Sequence, residues 1–345
     1  MRTSIAVLVV VLAANAIAGD KPRAEIARYC WGPKWQRGGA LLACGISEGL
    51  NSGGLNSMER IGVAVYDRDG KLRHFIYGAG GSFAFLPDGS GLVAGTNQGP
   101  SGRLLRYSFT DREVLFYSTT SLGGLFGAIV VAGDTADPMR SGNVFFTQNE
   151  FPNSSLNVRL VPIQGGGNQQ WESGSDPDLS SDGSLAYRKQ SDLETADILI
   201  APPNEGAKVR ATLKTRIAVG PRFSPDGRWL ALVVADAKMD GTPKEITTSL
   251  RVFDLAAARD SFHKIGAVSG DDLAWSPDSR EIAASVGGAN RTSKIVAFPV
   301  GPGKPRDLLL PDPGCSLHQP AWTTGALAVI HTCAGIPSLR IHDLK

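Results

Sequence analysis

The sequence predicts an all-β protein, a seven-bladed β-propeller of four-stranded antiparallel blades, with six blades as the alternative. Three observations lead to this prediction: a recurring phrase, its spacing along the chain, and an incomplete last repeat. The phrase joins an aromatic residue, a Ser-Pro-Asp-Gly turn and an apolar run, as in FSPDGRWLAL from Phe223, WSPDSREIAA from Trp275 and FLPDGSGLVA from Phe85. A supersecondary unit that recurs every ~20–50 residues indicates a closed or stacked array.

The composition of this phrase predicts a strand, a tight turn and a second strand. Proline presets φ at the first corner of the turn, aspartate accepts hydrogen bonds from its own backbone, and glycine tolerates positive φ, so the flanking strands pair as a hairpin. Weaker copies are LSSDGSLAYR from Leu179 and WTTGALAVI from Trp322, and glycine turns also precede the apolar runs ALLACG and VFFTQ.

The spacing of the turns predicts the number of units. Seven turn positions serve as markers: Gly39, Gly89, Gly142, Gly183, Gly227, Ser279 and Gly325. Consecutive markers are 41 to 53 residues apart, which is long enough for the four short strands of one propeller blade. The unit that begins at Arg222 is expected to show all four, in PRFSP, RWLALVVA, Ser249–Leu255 and His263–Val268.

The last unit is one strand short. It stops at Ser338–Lys345, whose sequence SLRIHDLK parallels the third strand SLRVFDL of an earlier unit. We expect Lys21–Tyr29, ahead of the first unit, to supply the missing outer strand, because closing the ring removes exposed sheet edges.

The first residues have the pattern of a signal peptide. Arg2 precedes an apolar run at Ile5–Ala14, and Ala16-Ile17-Ala18 is a small-residue cleavage pattern. The alternative, a transmembrane anchor, is disfavoured because the run is shorter than the ~20 residues that span a bilayer. We therefore expect a signal peptide at 1–18, one propeller domain at 19–345, and a periplasmic or secreted product.

Composition and charge argue against nucleic acid and acidic membranes as partners. The chain has 41 Gly and 21 Pro in 345 residues and a formal net charge of +2, so turns are dense and no basic field exists to attract nucleic acid or acidic membranes. We expect a monomer without cofactor or metal that does not insert into a membrane after cleavage, and whose partner is a protein or a cell-envelope component.

The four cysteines form two symmetric pairs. Cys30 and Cys44 are centred on the first predicted turn, and Cys315 and Cys333 on the last. Residues symmetric about a hairpin turn face each other, so each pair is expected to form a disulfide in an oxidising compartment, with cross-blade pairing between the first and last blades as an alternative. A structural zinc site is disfavoured because no Cys-x-x-Cys spacing occurs.

The phrases FSPDGRWLAL and WSPDSREIAA resemble the repeat of the TolB-type, WD-repeat-like β-propellers. The resemblance covers nearly the whole mature chain and implies the propeller fold more than any function. TolB itself carries an α/β domain before its propeller, and the related prolyl oligopeptidases carry a hydrolase domain. This chain has room for neither, which argues against the roles that those domains perform.

One catalytic motif is matched literally. Gly45-Ile46-Ser47-Glu48-Gly49 fits G-x-S-x-G, but the loop LNSGGLNS follows it where a nucleophile elbow needs a helix. The five histidines are scattered, without H-E-x-x-H or H-x-H spacing. We therefore expect no catalytic nucleophile at Ser47.

The longest loops predict where a ligand binds. Loops 47–60 and 235–248 join second to third strands, on the propeller face that also carries the starts of the inner strands, and variable loops on a rigid ring usually confer specificity. The expected ligand-binding residues are Glu48, Glu59, Arg60, Asp176, Lys238, Asp240, Lys244, Asp271, Asp272 and His318.

The predicted function is an exported, non-enzymatic binding module. The alternative is a lyase or hydrolase with its site at the mouth of the central channel.

Overall fold

The strands form seven four-stranded antiparallel sheets. The structure is a computed structural model that describes residues 22–26, 30–47, 61–79, 82–96, 103–112, 114–117, 126–133, 137, 139–150, 155–192, 195–214, 217–239, 243–257, 259–265, 273–287 and 292–344. Within these ranges there is no helix, and accordingly no helix there is long and apolar enough to cross a membrane. The predicted seven-bladed propeller is confirmed, and the six-bladed alternative is wrong.

The blades are given with their strands ordered from the innermost to the outermost, and in the first six blades these strands are consecutive along the chain. The first four blades contain β2 (Cys30–Trp35), β3 (Leu41–Ser47), β4 (Ile61–Asp67) and β5 (Leu72–Tyr77); β6 (Phe83–Phe85), β7 (Gly91–Thr96), β8 (Arg103–Ser108) and β9 (Val114–Tyr117); β10 (Phe126–Val131), β11 (Asn143–Glu150), β12 (Ser155–Pro162) and β13 (Gln169–Ser173); and β14 (Ser175–Leu179), β15 (Leu185–Gln190), β16 (Thr195–Ala201) and β17 (Lys208–Lys214).

The remaining three blades follow the same plan. They contain β18 (Ile217–Phe223), β19 (Trp229–Met239), β20 (Pro243–Asp254) and β21 (Arg259–Lys264); β22 (Leu273–Trp275), β23 (Glu281–Gly287), β24 (Ser293–Pro299) and β25 (Arg306–Leu309); and β26 (Cys315–Thr323), β27 (Ala326–Cys333), β28 (Ile336–Asp343) and β1 (Ala24–Ile26).

The N-terminal strand closes the ring. β1 is antiparallel to β28, with Glu25 opposite Arg340 and Ile26 opposite Leu339. It therefore supplies the outer strand that blade 7 lacks, as predicted for Lys21–Tyr29. Of that segment, residue 21 and residues 27–29 lie outside the described part of the chain.

The seven turn markers share one backbone conformation. All have positive φ, from +61° at Ser279 to +88° at Gly183. Ser279 is the one marker with a side chain, and its hydroxyl accepts a hydrogen bond from the Asp226 amide of the neighbouring blade at 3.1 Å. This contact offsets the cost of placing serine where glycine is favoured.

The hydrophobic core lies between the blades. Seven clusters of buried side chains occur, one between each pair of neighbouring blades. Trp229 and Trp275 pack in the cluster between blades 5 and 6, and Trp322 packs between blades 6 and 7. The aromatic residues of the repeated phrase are thus packed between blades.

Both predicted disulfides are present. Cys315 lies directly opposite Cys333 across β26 and β27. Cys30 lies opposite Ile46, because a register shift in β2 displaces the pairing, and its sulfur is bonded to the diagonal neighbour Cys44.

Several boundaries in blade 5 differ from the sequence prediction, and the inner strand is Ile217–Phe223 and not PRFSP. The predicted loop at 235–248 is wrong, because β19 and β20 pair from Trp229↔Asp254 to Met239↔Pro243, with one register shift between Lys238 and Met239. The Asp240-Gly241 pair between these strands is a strong hairpin signal that explains the difference. The outer strand is Arg259–Lys264 and not His263–Val268.

The ring has two distinct faces. Because strands within a blade alternate in direction, the start of every inner strand lies at the same end as the connection between the second and third strands. We call this the loop face, and it carries Cys30, Ser175 and Cys315. The opposite turn face carries the hairpin turns of the repeated phrase, such as 225–228 and 277–280.

Candidate ligand-binding site at the channel mouth

Four inner strands share a proline motif that our sequence analysis missed. In each, a proline is followed by one variable residue and then a large apolar one, and the strand pairing shifts register at the proline. Proline has no N–H to donate to the ladder, so it marks a bulge. The motifs are Gly32-Pro33-Lys34-Trp35, Asp176-Pro177-Asp178-Leu179, Gly220-Pro221-Arg222-Phe223 and Gln319-Pro320-Ala321-Trp322.

The residue before the proline has an unusual backbone conformation in three of these motifs. Its φ is +56° at Gly32, +57° at Asp176 and +48° at Gln319. For a residue with a side chain such a conformation costs on the order of 1–3 kcal/mol and occurs preferentially at functional sites. Asp176 and Gln319 are therefore held in fixed positions on the inner strands of blades 4 and 7.

The residue after the proline ties neighbouring blades together deeper in the channel. Lys34 Nζ donates to the carbonyl oxygen of Phe83 in blade 2 at 2.7 Å, and Asp178 Oδ2 accepts from the amide of Phe223 in blade 5 at 2.7 Å. Burial raises the pKa of Asp178, while the charges of Arg222 and Lys34 oppose that rise. This layer of charges has a structural role in joining inner strands.

An ion pair lies nearer the loop face of blade 4. Arg188 Nη2 is 3.4 Å from Asp176 Oδ2, and the two side chains are 18% and 28% exposed. The Ser175 hydroxyl donates to the same carboxylate at 2.9 Å. The Asp176 amide donates to Thr147 Oγ1 of blade 3 at 2.8 Å. This group presents both a cation and an anion in a fixed arrangement that remains partly open to solvent.

A second polar group lies on the inner strand of blade 7. His318 Nε2 is 2.7 Å from the Ser316 hydroxyl, and its Nδ1 is 3.4 Å from the Ser293 hydroxyl of blade 6. Burial lowers the pKa of His318, so its imidazole is neutral at pH 7. Gln319 Oε1 accepts from the Gly32 amide of blade 1 at 2.7 Å. Blade 7 is thereby joined to both its neighbours.

Replacing His318 with glutamine should make the free energy of unfolding depend less on pH below neutrality. The pKa of this histidine is lower in the folded state than its value of about 6.5 in the unfolded chain. As the pH falls below that value, the unfolded chain binds the proton first, and the free energy of unfolding decreases by up to about 1.4 kcal/mol per pH unit. Between pH 7 and 5 we expect wild type to lose more stability than His318→Gln. Urea unfolding at a series of pH values measures this, and parallel profiles for the two proteins would contradict it.

Of the residues predicted to bind ligand, two have side chains within the described part of the structure. Asp176 and His318 lie on inner strands of blades that are not neighbours, so they flank the channel from different sides. Lys238 and Lys244 lie near the loop-face end of the β19–β20 hairpin, and their side chains are outside the described part of the structure, as are Glu48, Glu59, Arg60, Asp240, Asp271 and Asp272. Arg188 and Thr147 were missed.

The G-x-S-x-G motif receives no test from the structure. Ser47 is the last residue of β3, and residues 48–60, where the elbow helix would begin, lie outside the described ranges. The absence of a nucleophile at Ser47 remains a prediction.

Comparison with known proteins supports the fold alone. No family model matches the chain, and no curated protein matches it. Among solved structures, an oligogalacturonate lyase from Vibrio parahaemolyticus superposes with a TM-score of 0.63 at 11% identity, covering 94% of this chain and 92% of that chain. An oligogalacturonate lyase in complex with manganese gives 0.62 at 13%, covering 93% and 90%, and the Dos1 propeller gives 0.58 at 13%, covering 90% and 77%.

These comparisons confirm one part of the family resemblance. The chain is a β-propeller like these proteins, whereas membership of the TolB-type repeat family is not confirmed, because no family model matches. Propellers commonly share the fold and differ in function, so similarity at this low identity carries no function to this chain.

Proposed function

We propose that this protein is an exported, non-enzymatic binding module that recognises a protein or a cell-envelope ligand through its loop face. The observation that carries the proposal is the state of the acid and base groups at the channel mouth. The Asp176 carboxylate is paired with Arg188 and Ser175, and both nitrogens of His318 lie beside serine hydroxyls. A carboxylate and a guanidinium held together at fixed positions suit the recognition of a polar ligand.

The pair of Asp176 and Arg188 suits a polar ligand. A guanidinium binds carboxylate or phosphate groups through two parallel hydrogen bonds, and a carboxylate accepts bonds from hydroxyl or amide donors. Because Arg188 and Ser175 hold the Asp176 carboxylate in place, little side-chain entropy remains to be lost on binding. The ligand surface is therefore expected to carry both acidic and donor groups.

The proposed location is the periplasm or the exterior of the cell. Two disulfides join all four cysteines, and disulfides form and persist in oxidising compartments. The signal-peptide pattern at 1–18 supports the same location.

An enzyme that acts at the channel mouth is the second candidate. It is favoured by the two oligogalacturonate lyases, each of which shares the fold over at least 90% of both chains. In such an enzyme Asp176 or His318 would exchange a proton with substrate, directly or through a neighbouring serine hydroxyl.

Substitutions in the Asp176–Arg188 ion pair test whether this pair binds the ligand. We expect Asp176→Asn and Arg188→Gln each to weaken binding of the ligand captured from a cell-envelope extract by at least about tenfold, or about 1.4 kcal/mol. Asparagine also tolerates positive φ, so Asp176→Asn removes the charge without removing the backbone conformation. Titration of the captured component against each purified variant measures the effect.

The matched control is Arg228→Gln. Arg228 forms a comparable ion pair with Asp254, 3.2 Å apart, on the turn face, so its loss should leave affinity unchanged.

A separate assay tests the alternative that the protein is an enzyme. The protein is incubated with oligogalacturonate, and the ultraviolet absorbance of an unsaturated elimination product is measured. A signal that wild type produces and Asp176→Asn does not would replace the binding module with a lyase.

A further inference from the structure

Four side chains with metal-binding chemistry converge at the loop-face end of blade 7. Asp312, Cys315, His331 and Cys333 each offer one ligand atom, and these atoms all lie within 4.8 Å of one another. Within the described part of the chain this is the one group of three or more His, Cys, Asp or Glu side chains with such an arrangement. In the oxidised protein the two sulfurs are bonded to each other, so neither is available to a metal.

We propose that reduction of the Cys315–Cys333 disulfide creates a binding site for a divalent cation of the zinc class. A dithiol reductant supplies two electrons and two protons, so the S–S bond breaks, two thiols form, and the reductant becomes a disulfide. Binding of the ion then displaces both thiol protons to solvent. The ligands are two thiolates, the His331 imidazole and the Asp312 carboxylate, which are donors that tetrahedral zinc accepts.

The geometry needs only small side-chain movements. His331 Nε2 lies 3.3 Å from Cys333 Sγ and 3.2 Å from Asp312 Oδ2. In a tetrahedral site with Zn–S bonds of about 2.3 Å the two sulfurs are about 3.7 Å apart. Because the Cα atoms of Cys315 and Cys333 face each other at 4.4 Å, rotation of the side chains can reach that separation within the existing ladder.

A neighbouring cation offsets part of the charge at the site. Two thiolates and one carboxylate around a divalent cation leave one net negative charge. Arg340 lies beside it, with Nη1 2.8 Å from Asp312 Oδ2, and shares its own charge with Glu25 of the closing strand, 3.1 Å from Nε. The guanidinium can therefore remain in place when the ion binds.

The two disulfides differ in access to a reductant. Cys333 is half-buried and adjoins the exposed turn Ala334-Gly335, whereas Cys30 and Cys44 are 3% and 0% exposed. A mild reductant should therefore open the blade 7 disulfide first, leaving the other as an internal reference.

The test uses the mature protein, reduced under argon with a limiting amount of a phosphine and titrated with cobalt(II) as the probe. The phosphine takes the oxygen atom of a water molecule and becomes its oxide, while the disulfide becomes two thiols, and no competing dithiol ligand is introduced. We expect one equivalent to bind, with the visible bands of a tetrahedral ion and thiolate-to-cobalt charge-transfer absorption, and with no such spectrum from the oxidised protein. Alkylation and peptide mapping of the metal-free reduced sample should label Cys315 and Cys333. Competition with zinc should abolish the cobalt spectrum.

Variants identify the ligands. Cys315→Ala/Cys333→Ala should lose the spectrum, His331→Gln and Asp312→Asn should each weaken cobalt affinity at least tenfold and shift the bands, and Asp307→Asn on blade 6 should change nothing. If the double cysteine variant does not fold, oxidised wild type is the reference. The proposal is overturned if reduced wild type binds cobalt no more tightly than that reference. It is equally overturned if His331→Gln and Asp312→Asn leave the spectrum unaltered.

Discussion

Replacing Arg140 with methionine should reduce the free energy of unfolding by about 3–5 kcal/mol, because removing one partner leaves the other charge buried and unpaired. Arg140 lies in the turn between β10 and β11 and is fully buried. Its guanidinium is 3.0 Å from Asp137, whose side chain is 4% exposed. Denaturant midpoints of wild type and variant measure the effect.

The contacts of Arg140 explain the size of this effect. The guanidinium donates to three carbonyl oxygens of blade 4, those of Gly183, Ala201 and Pro202, at 2.6 to 2.7 Å. It therefore joins blade 3 to the turn-face end of blade 4, and methionine can replace its volume but none of its donors. The three carbonyl groups would then be buried without these partners.

Two further variants make the Arg140 prediction specific. Asp137→Asn/Arg140→Met removes both charges and should recover part of the loss, since the uncompensated carboxylate is absent. Arg228→Met breaks an ion pair whose arginine is 57% exposed and should cost no more than about 1 kcal/mol. Equal losses for Arg140→Met and Arg228→Met would show that the buried pair has no special role.

Removing the disulfide of blade 1 should have the second-largest effect. Cys30→Ala/Cys44→Ala opens a loop with a sequence separation of 14, for which the chain-entropy model gives about 3 kcal/mol. The two sulfurs also belong to the cluster between blades 7 and 1, so their loss loosens the interface at which the ring closes. Unfolding under non-reducing conditions is the measurement.

The blade 7 disulfide provides the comparison. Cys315→Ala/Cys333→Ala opens a loop of similar length, with a separation of 18, but Cys333 is half-buried, so less packing is lost. The blade 1 variant should therefore be the less stable of the two. An unchanged midpoint for Cys30→Ala/Cys44→Ala would contradict the account of ring closure.

The turns and the closure could be predicted because their chemistry is local. The Pro-Asp-Gly corners require specific φ values, and all seven markers from Gly39 to Gly325 have positive φ. The closing strand could be inferred because one repeat lacked its outer strand. The β19–β20 hairpin was missed because strand pairing there depends on register with a neighbour, although Asp240-Gly241 was a readable turn signal.

The candidate site was predicted less completely, since it depends on contacts between blades. Asp176 and His318 stood out as polar residues at the starts of inner strands. Arg188, which pairs with Asp176, follows it by twelve positions and lies across a hairpin, so no spacing rule connects them. A proline within a predicted strand, as at Pro177 and Pro320, would have indicated the bulges that fix this geometry.

Photo-cross-linking from each face tests the claim of loop-face recognition most directly. A photoreactive amino acid replaces Lys189, an exposed residue at the loop-face end of β15, or Arg280, whose side chain is 84% exposed on the turn face. After irradiation in a cell-envelope extract, we predict a discrete product from position 189 that is lost when Arg188→Gln is added, and none from position 280. A product from position 280 alone would contradict the claim.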